Sequence, residues 1–98
     1  MKKYFVLKLI PPRPTFAQDM SAEERSVMML HVAYWKALMD KGFVLAFGPV
    51  LDPNGVYGLG IVEVEDEALV QQFIANDPAA AINRYEATPM LAVVPKKP

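Results

Sequence analysis

No cysteine occurs among the 98 residues, and this absence removes a disulfide framework, thiolate metal ligation and a cysteine nucleophile together. Histidine is scarce as well. With one copy, His31, a metal centre would have to be built from scattered carboxylates around a single imidazole, so no metal or other cofactor is expected. Neither charge is in surplus: ten Lys and Arg face eleven Asp and Glu, for a formal charge of −1. The basic residues form no run longer than two, so the stripe that grips a phosphate backbone is missing and no nucleic-acid partner is expected. No segment approaches the roughly 18 apolar residues that a membrane span requires. Glycine-rich phosphate loops, serine elbows and paired-carboxylate motifs do not occur either.

What is present is apolar. Hydrophobic residues make up 53% of the chain before its five glycines are counted, against about 45–50% with glycine included in an ordinary domain. A chain of this length holds one domain, residues 1–98, with room for one core and one site. The hydrophobic excess implies a second buried surface, covered by another copy. Lys2-Lys3 and the apolar residues 4–10 superficially imitate a secretory leader, with Thr15-Phe16-Ala17 as a weak cleavage site. Lys8 interrupts that run, however, and Pro11, Pro12 and Pro14 follow it, so the expectation is a cytoplasmic protein that begins with a strand.

That strand is expected over 1–10, where β-branched, aromatic and leucine residues end abruptly at two prolines. Residues 11–19 read as a stiff loop. Ser21 and Glu24 have capping-box spacing, which starts a helix over 20–41 that Gly42 ends. Residues 43–65 read as a hairpin around Asp52-Pro53-Asn54-Gly55, a tetrad suited to a tight turn. A shorter helix with acidic residues in its first turn follows over 66–75, then a strand over 84–94 and a tail at 96–98. This order is the βαββαβ, ferredoxin-like α+β sandwich: a four-stranded antiparallel sheet with helices on one face. The second and fourth strands are apolar at both parities, whereas a half-exposed antiparallel strand should alternate. Two copies stacking their bare sheet faces, a homodimer, satisfies that pattern.

Several residues admit a chemical reading beside a structural one. His31 sits mid-helix on the face of Val27, Tyr34 and Trp35. It is either a packed ring bonded to a backbone carbonyl or a general acid–base group, for which imidazole's titration near neutrality is the physical reason. Asp77 precedes Pro78, the pattern of an N-cap before a first helical proline. Its carboxylate could instead, or in addition, accept a proton-bearing nitrogen of His31, as the acid does in a catalytic triad. Gly58 and Gly60 allow close helix packing or floor a small cavity. Gly48-Pro49 ends a strand or shapes a pocket rim. Tyr34 and Trp35 are candidates for the lining of a small-molecule site, and Arg13 could meet an anionic group. Pro11-Pro12-Arg13-Pro14 fits a PxxP ligand formally but reads as a rigid loop.

The string His31-Val32-Ala33-Tyr34-Trp35, then Lys41-Gly42-Phe43-Val44-Leu45-Ala46-Phe47-Gly48-Pro49-Val50, resembles the YCII-related family. Asp52 with Gly55, the strand Gly60-Ile61-Val62-Glu63-Val64 and Asn76-Asp77-Pro78 follow in that family's order. The resemblance spans residues 25 to 94. It implies a dimeric α+β barrel built on the ferredoxin-like unit, with His31 and Asp77 meeting as a catalytic dyad. It further implies lyase- or dehalogenase-type chemistry on small ring compounds, without naming a substrate. The long proline-rich segment 11–19 and the apolar helix after it depart from the shorter members.

Overall fold

Strand β1 (Lys3–Ile10) alternates strictly: Phe5, Leu7 and Leu9 are buried while their neighbours are half-buried or exposed. The computed structural model describes residues 1–95; the tail expected at 96–98 lies outside the described residues. After β1 come a single helical turn α1 (Phe16–Asp19), the long helix α2 (Ala22–Asp40) and strands β2 (Val44–Val50) and β3 (Tyr57–Val64). Helix α3 (Ala68–Asn76), a 3-10 turn (Pro78–Ala81) and β4 (Arg84–Met90) complete the order. The strands form one antiparallel sheet in the order β2-β3-β1-β4, the arrangement of a ferredoxin-like α+β sandwich.

Local chemistry accounts for the element ends. The Ser21 hydroxyl accepts from the Glu24 amide while the Glu24 carboxylate accepts from the Ser21 amide, closing the capping box. Gly42 takes φ +90° just beyond α2, a conformation that favours glycine. Asp52 accepts from the amides of Asn54 and Gly55, which sets the β2-β3 turn.

Helices α2 and α3 cover one sheet face, and between them lies a core of Phe5, Leu7, Trp35, Val62, Val64 and Val70. The other face carries Val6, Leu59 and Ile61, flanked by Lys8 stacked on Tyr57 and by Glu63 held by the Tyr4 hydroxyl at 2.9 Å. Helix α2 is also apolar on its outer side, where Met29, Leu30 and Val32 are exposed.

Three expectations need correction. β4 ends at Met90 rather than at residue 94, because its sole partner β1 runs out: Met90 pairs with Tyr4, and Leu91 and Val93 project fully exposed. Residues 11–19 are not loop throughout. Burial of Phe16 and the hydrogen bond from the Thr15 hydroxyl to Asp19 wind 16–19 into one helical turn. Helix α3 has no acidic residue in its first turn; Asp66 precedes it and accepts from the Ala68 amide instead.

Candidate active site

Helical spacing puts His31, Trp35 and Leu38 on the side of α2 that faces the sheet. Trp35 lies against β3 because Gly60 leaves room for it: a Cβ at Gly60 would sit 2.3 Å from the indole ring. Phe47 of β2 packs beside it, with ring centroids 5.6 Å apart. The His31 ring is one helical turn before Trp35, at 6.2 Å between centroids.

Asp77 arrives from the other side of the fold. It leaves α3 in extended conformation, and Pro78 begins the 3-10 turn with its φ already suited to it. One carboxylate oxygen, Oδ1, accepts from the Ala79 amide at 2.9 Å. The other, Oδ2, accepts from His31 Nδ1 at 2.8 Å, from Trp35 Nε1 at 3.0 Å and from the Tyr85 hydroxyl. Capping and bonding to histidine are therefore done by one side chain, whose two oxygens divide the work. Asp77 is 3% exposed, so this is an almost wholly desolvated carboxylate with four donors.

Electrostatics follow from that arrangement. Burial pushes the Asp77 carboxyl up, but the hydrogen bonds from His31, Tyr85 and Ala79 outweigh it and hold the group below the ordinary aspartate value. Burial, and next the neighbouring Asp77 carboxylate, push the Tyr85 hydroxyl far above its usual range, so it stays protonated and donating. With His31 Nδ1 donating to Asp77, a neutral ring keeps its lone pair on Nε2. Among the described residues Nε2 has no hydrogen-bond partner. Every fully buried side-chain nitrogen and oxygen among the described residues is hydrogen-bonded, so Nε2 retains accessible surface.

His31 and Tyr85 line a cavity of about 220 Å³ between α2 and the β2-β3 half of the sheet. Gly58 and Gly60 form its floor, Trp35 and Phe47 a wall, and Gly48, Pro49, Pro11 and Ala17 its rim. The segment 11–19 thus contributes to the rim through Pro11 and Ala17, and Pro14 lies beside the β2-β3 turn, where a Cβ at Gly55 would sit 3.5 Å from its carbonyl oxygen. Among the described residues no group of three His, Asp or Glu side chains is placed to hold a metal ion.

Of the residues singled out by the sequence, His31, Trp35, Gly48 and Pro49 border the cavity, and Asp77 stands directly behind His31. Two do not belong to it. The Tyr34 hydroxyl donates to the Phe73 carbonyl at 2.7 Å, because helical rotation turns it toward α3. Arg13 is consumed locally by Asp19 and by both oxygens of Glu24, at 2.7 to 2.9 Å. Tyr85 and Asn83 belong to the site and were not anticipated. The only sequence signal for Tyr85 is strand parity, which puts the second residue of β4 on the helix-covered face opposite Leu9.

A model of the YCII-related domain matches residues 4–93, nearly the whole chain. Solved structures share the fold. The 5-chloro-2-hydroxyhydroquinone dehydrochlorinase of Burkholderia phenoliruptrix, in complex with 2,5-dihydroxybenzoquinone, aligns with TM-score 0.59 at 22% identity, over 86% of this chain and 90% of that one. An uncharacterized protein from Thermotoga maritima aligns with TM-score 0.57 at 10% identity, over 92% and 99%. A variant of SnoaB, a cofactor-independent oxygenase from Streptomyces nogalater, aligns with TM-score 0.51 at 16% identity, over 97% and 98%. Among curated proteins none matches the chain. The chain belongs to the YCII-related family.

Proposed function

We propose that this member of the YCII-related family is an acid–base enzyme of the lyase or dehalogenase type, acting on a small, partly apolar metabolite in the cavity beside His31. The observation that carries the reading is the Asp77–His31 hydrogen bond at 2.8 Å, which leaves Nε2 as the free nitrogen of a cavity-lining ring. Nε2 takes a proton from the substrate. The electron pair so released forms a double bond and expels a leaving group from a neighbouring carbon, and the imidazolium passes its proton to that group or to water. Asp77 fixes the tautomer and stabilises the imidazolium without itself taking the proton. The chemistry requires no metal or organic cofactor. The fold is one that a dehydrochlorinase also uses, at 22% identity.

The same reading places two copies face to face through the open sheet surface, where Val6, Leu59 and Ile61 lie outside the helix-covered core. No helix among the described residues is long and apolar enough to cross a membrane. Cytoplasmic residence fits a cysteine-free chain. Light scattering at micromolar concentration should return twice the 10.9 kDa chain mass.

Halide release from 5-chloro-2-hydroxyhydroquinone and related halogenated phenols is the direct screen. A substrate found there should be turned over at least about 100-fold more slowly by His31→Ala. Turnover within threefold of wild type would sink the catalytic assignment. A ligand bound through Trp35 and recovered chemically intact would make the cavity a binding module instead.

A further inference from the structure

Among the described residues, the cavity's free side-chain polar atoms are of one kind. Trp35 Nε1 and the Tyr85 hydroxyl, both lining it, are spent on Asp77. Tyr57 also borders the cavity, but its side chain follows the parity of Leu59 onto the opposite face of the sheet, where the ring lies under Lys8 at 4.5 Å. Asn83 lines the cavity as well, and its Nδ2 donates to the Ala79 carbonyl at 3.0 Å and meets Met28 Sδ at 3.5 Å. The second of its polar atoms, Oδ1, has no partner among the described residues and, like His31 Nε2, is not sealed from solvent. Two acceptors therefore remain, His31 Nε2 and Asn83 Oδ1. No Lys or Arg is among the lining residues, and the Asp77 carboxylate stands behind His31.

From this polarity we infer that Asn83 is a specificity-determining residue, and that His31 and Asn83 together select an uncharged molecule of about one ring that presents two proton-donating hydroxyls. Rejection works by the same physics. While the His31 ring is neutral, a carboxylate or phosphate would meet two lone pairs and the Asp77 anion, with no Lys or Arg among the described lining residues to offset its desolvation. An ether in place of a hydroxyl would leave a desolvated acceptor facing a desolvated acceptor. Size agrees: a dry cavity of about 150 Å³ holds benzene, so about 220 Å³ suits one ring with substituents. The inference rests on the cavity being the active site, but it concerns binding and is tested without turnover.

The experiment titrates Trp35 fluorescence, cross-checked by chemical-shift changes at the His31 ring, with the three dihydroxybenzene isomers, their dimethyl ethers and benzoate, under nitrogen. At least one diol should bind about tenfold or more tighter than its ether, from two hydrogen bonds of ordinary strength. Benzoate should bind at least as weakly as the ethers. Asn83→Leu should bring the best diol and its ether within threefold while leaving the ether's affinity unchanged. Asn83→Ala, a smaller replacement, makes the same comparison if leucine disturbs the 3-10 turn. Equal binding of diols and ethers, benzoate as the tightest ligand, a diol preference that survives both variants, or no binding of any probe at millimolar concentration would each overturn the inference. If instead His31→Ala left turnover intact while the diol preference held, the catalytic reading alone would fail.

Discussion

Replacing Asp77 by alanine removes the single group on which α2, the 3-10 turn and β4 converge, and the structure sets the expected cost. Loss of the cap on the Ala79 amide costs about 1 kcal/mol. The Tyr85 hydroxyl loses its acceptor in a desolvated site, for about 1–3 kcal/mol. Trp35 Nε1 still has the Tyr85 oxygen at 3.0 Å, and the His31 side chain, 12% exposed, reaches water, so these two add less. The sum is about 2–4 kcal/mol, to which these smaller losses add. Set against a total of about 5–15 kcal/mol for a domain, that leaves a marginal fold. Urea unfolding followed by Trp35 fluorescence should show the midpoint falling by roughly 2 M, taking about 1–3 kcal/mol per molar for the denaturant slope. A loss near 1 kcal/mol would refute the network and leave Asp77 as a helix cap.

Two further outcomes follow from the same contacts. Gly60→Ala drives a methyl group to within 2.3 Å of the Trp35 ring, so the helix or the indole must shift. A destabilisation of about 1–3 kcal/mol and a changed emission maximum are expected, and an unchanged spectrum with unchanged stability would contradict the packing. Acid should act on Asp77 in a defined direction. Its folded-state value is depressed, so its contribution is fully present above the unfolded value of about 3.9 and is lost as the pH falls through the lower folded value. The stability advantage of wild type over Asp77→Asn should accordingly hold from neutrality to about pH 4 and shrink below it. Asp19 and Glu24, also depressed by Thr15 and Arg13 respectively, are common to both proteins and cancel in that comparison. An advantage that persists undiminished to pH 2 would be inconsistent with this coupling.

Local rules explain why some features were readable from the chain and others were not. The Ser21–Glu24 capping box, the turn around Asn54 and the positive φ of Gly42 depend on neighbours in sequence, and there sequence and structure agree residue by residue. Alternation along β1 fixed which residues enter the core for a similar reason. Arg13 shows the limit of composition: a cation near a pocket suggests an anionic ligand, yet two acidic residues within 11 positions claim it first. Tyr34 lies three residues after His31, but that step rotates it toward α3, where its hydroxyl reaches the Phe73 carbonyl. Tyr85 and Asn83 carry no local signature, since their roles arise only once β4 is paired beside Leu9 and the 3-10 turn is folded under α2. The end of β4 was set by where β1 stops, a pairing property absent from residues 91–94 themselves.

The central claim is that Asp77 holds His31 with its hydrogen on Nδ1 and its lone pair on Nε2 at the cavity. Long-range proton–nitrogen NMR correlations of the single imidazole report that tautomer directly, with no ambiguity of assignment. For the neutral ring, the account predicts the Nδ1–H form in wild type and its loss in Asp77→Ala. A wild-type ring found in the Nε2–H form, or a tautomer indifferent to that substitution, would contradict it.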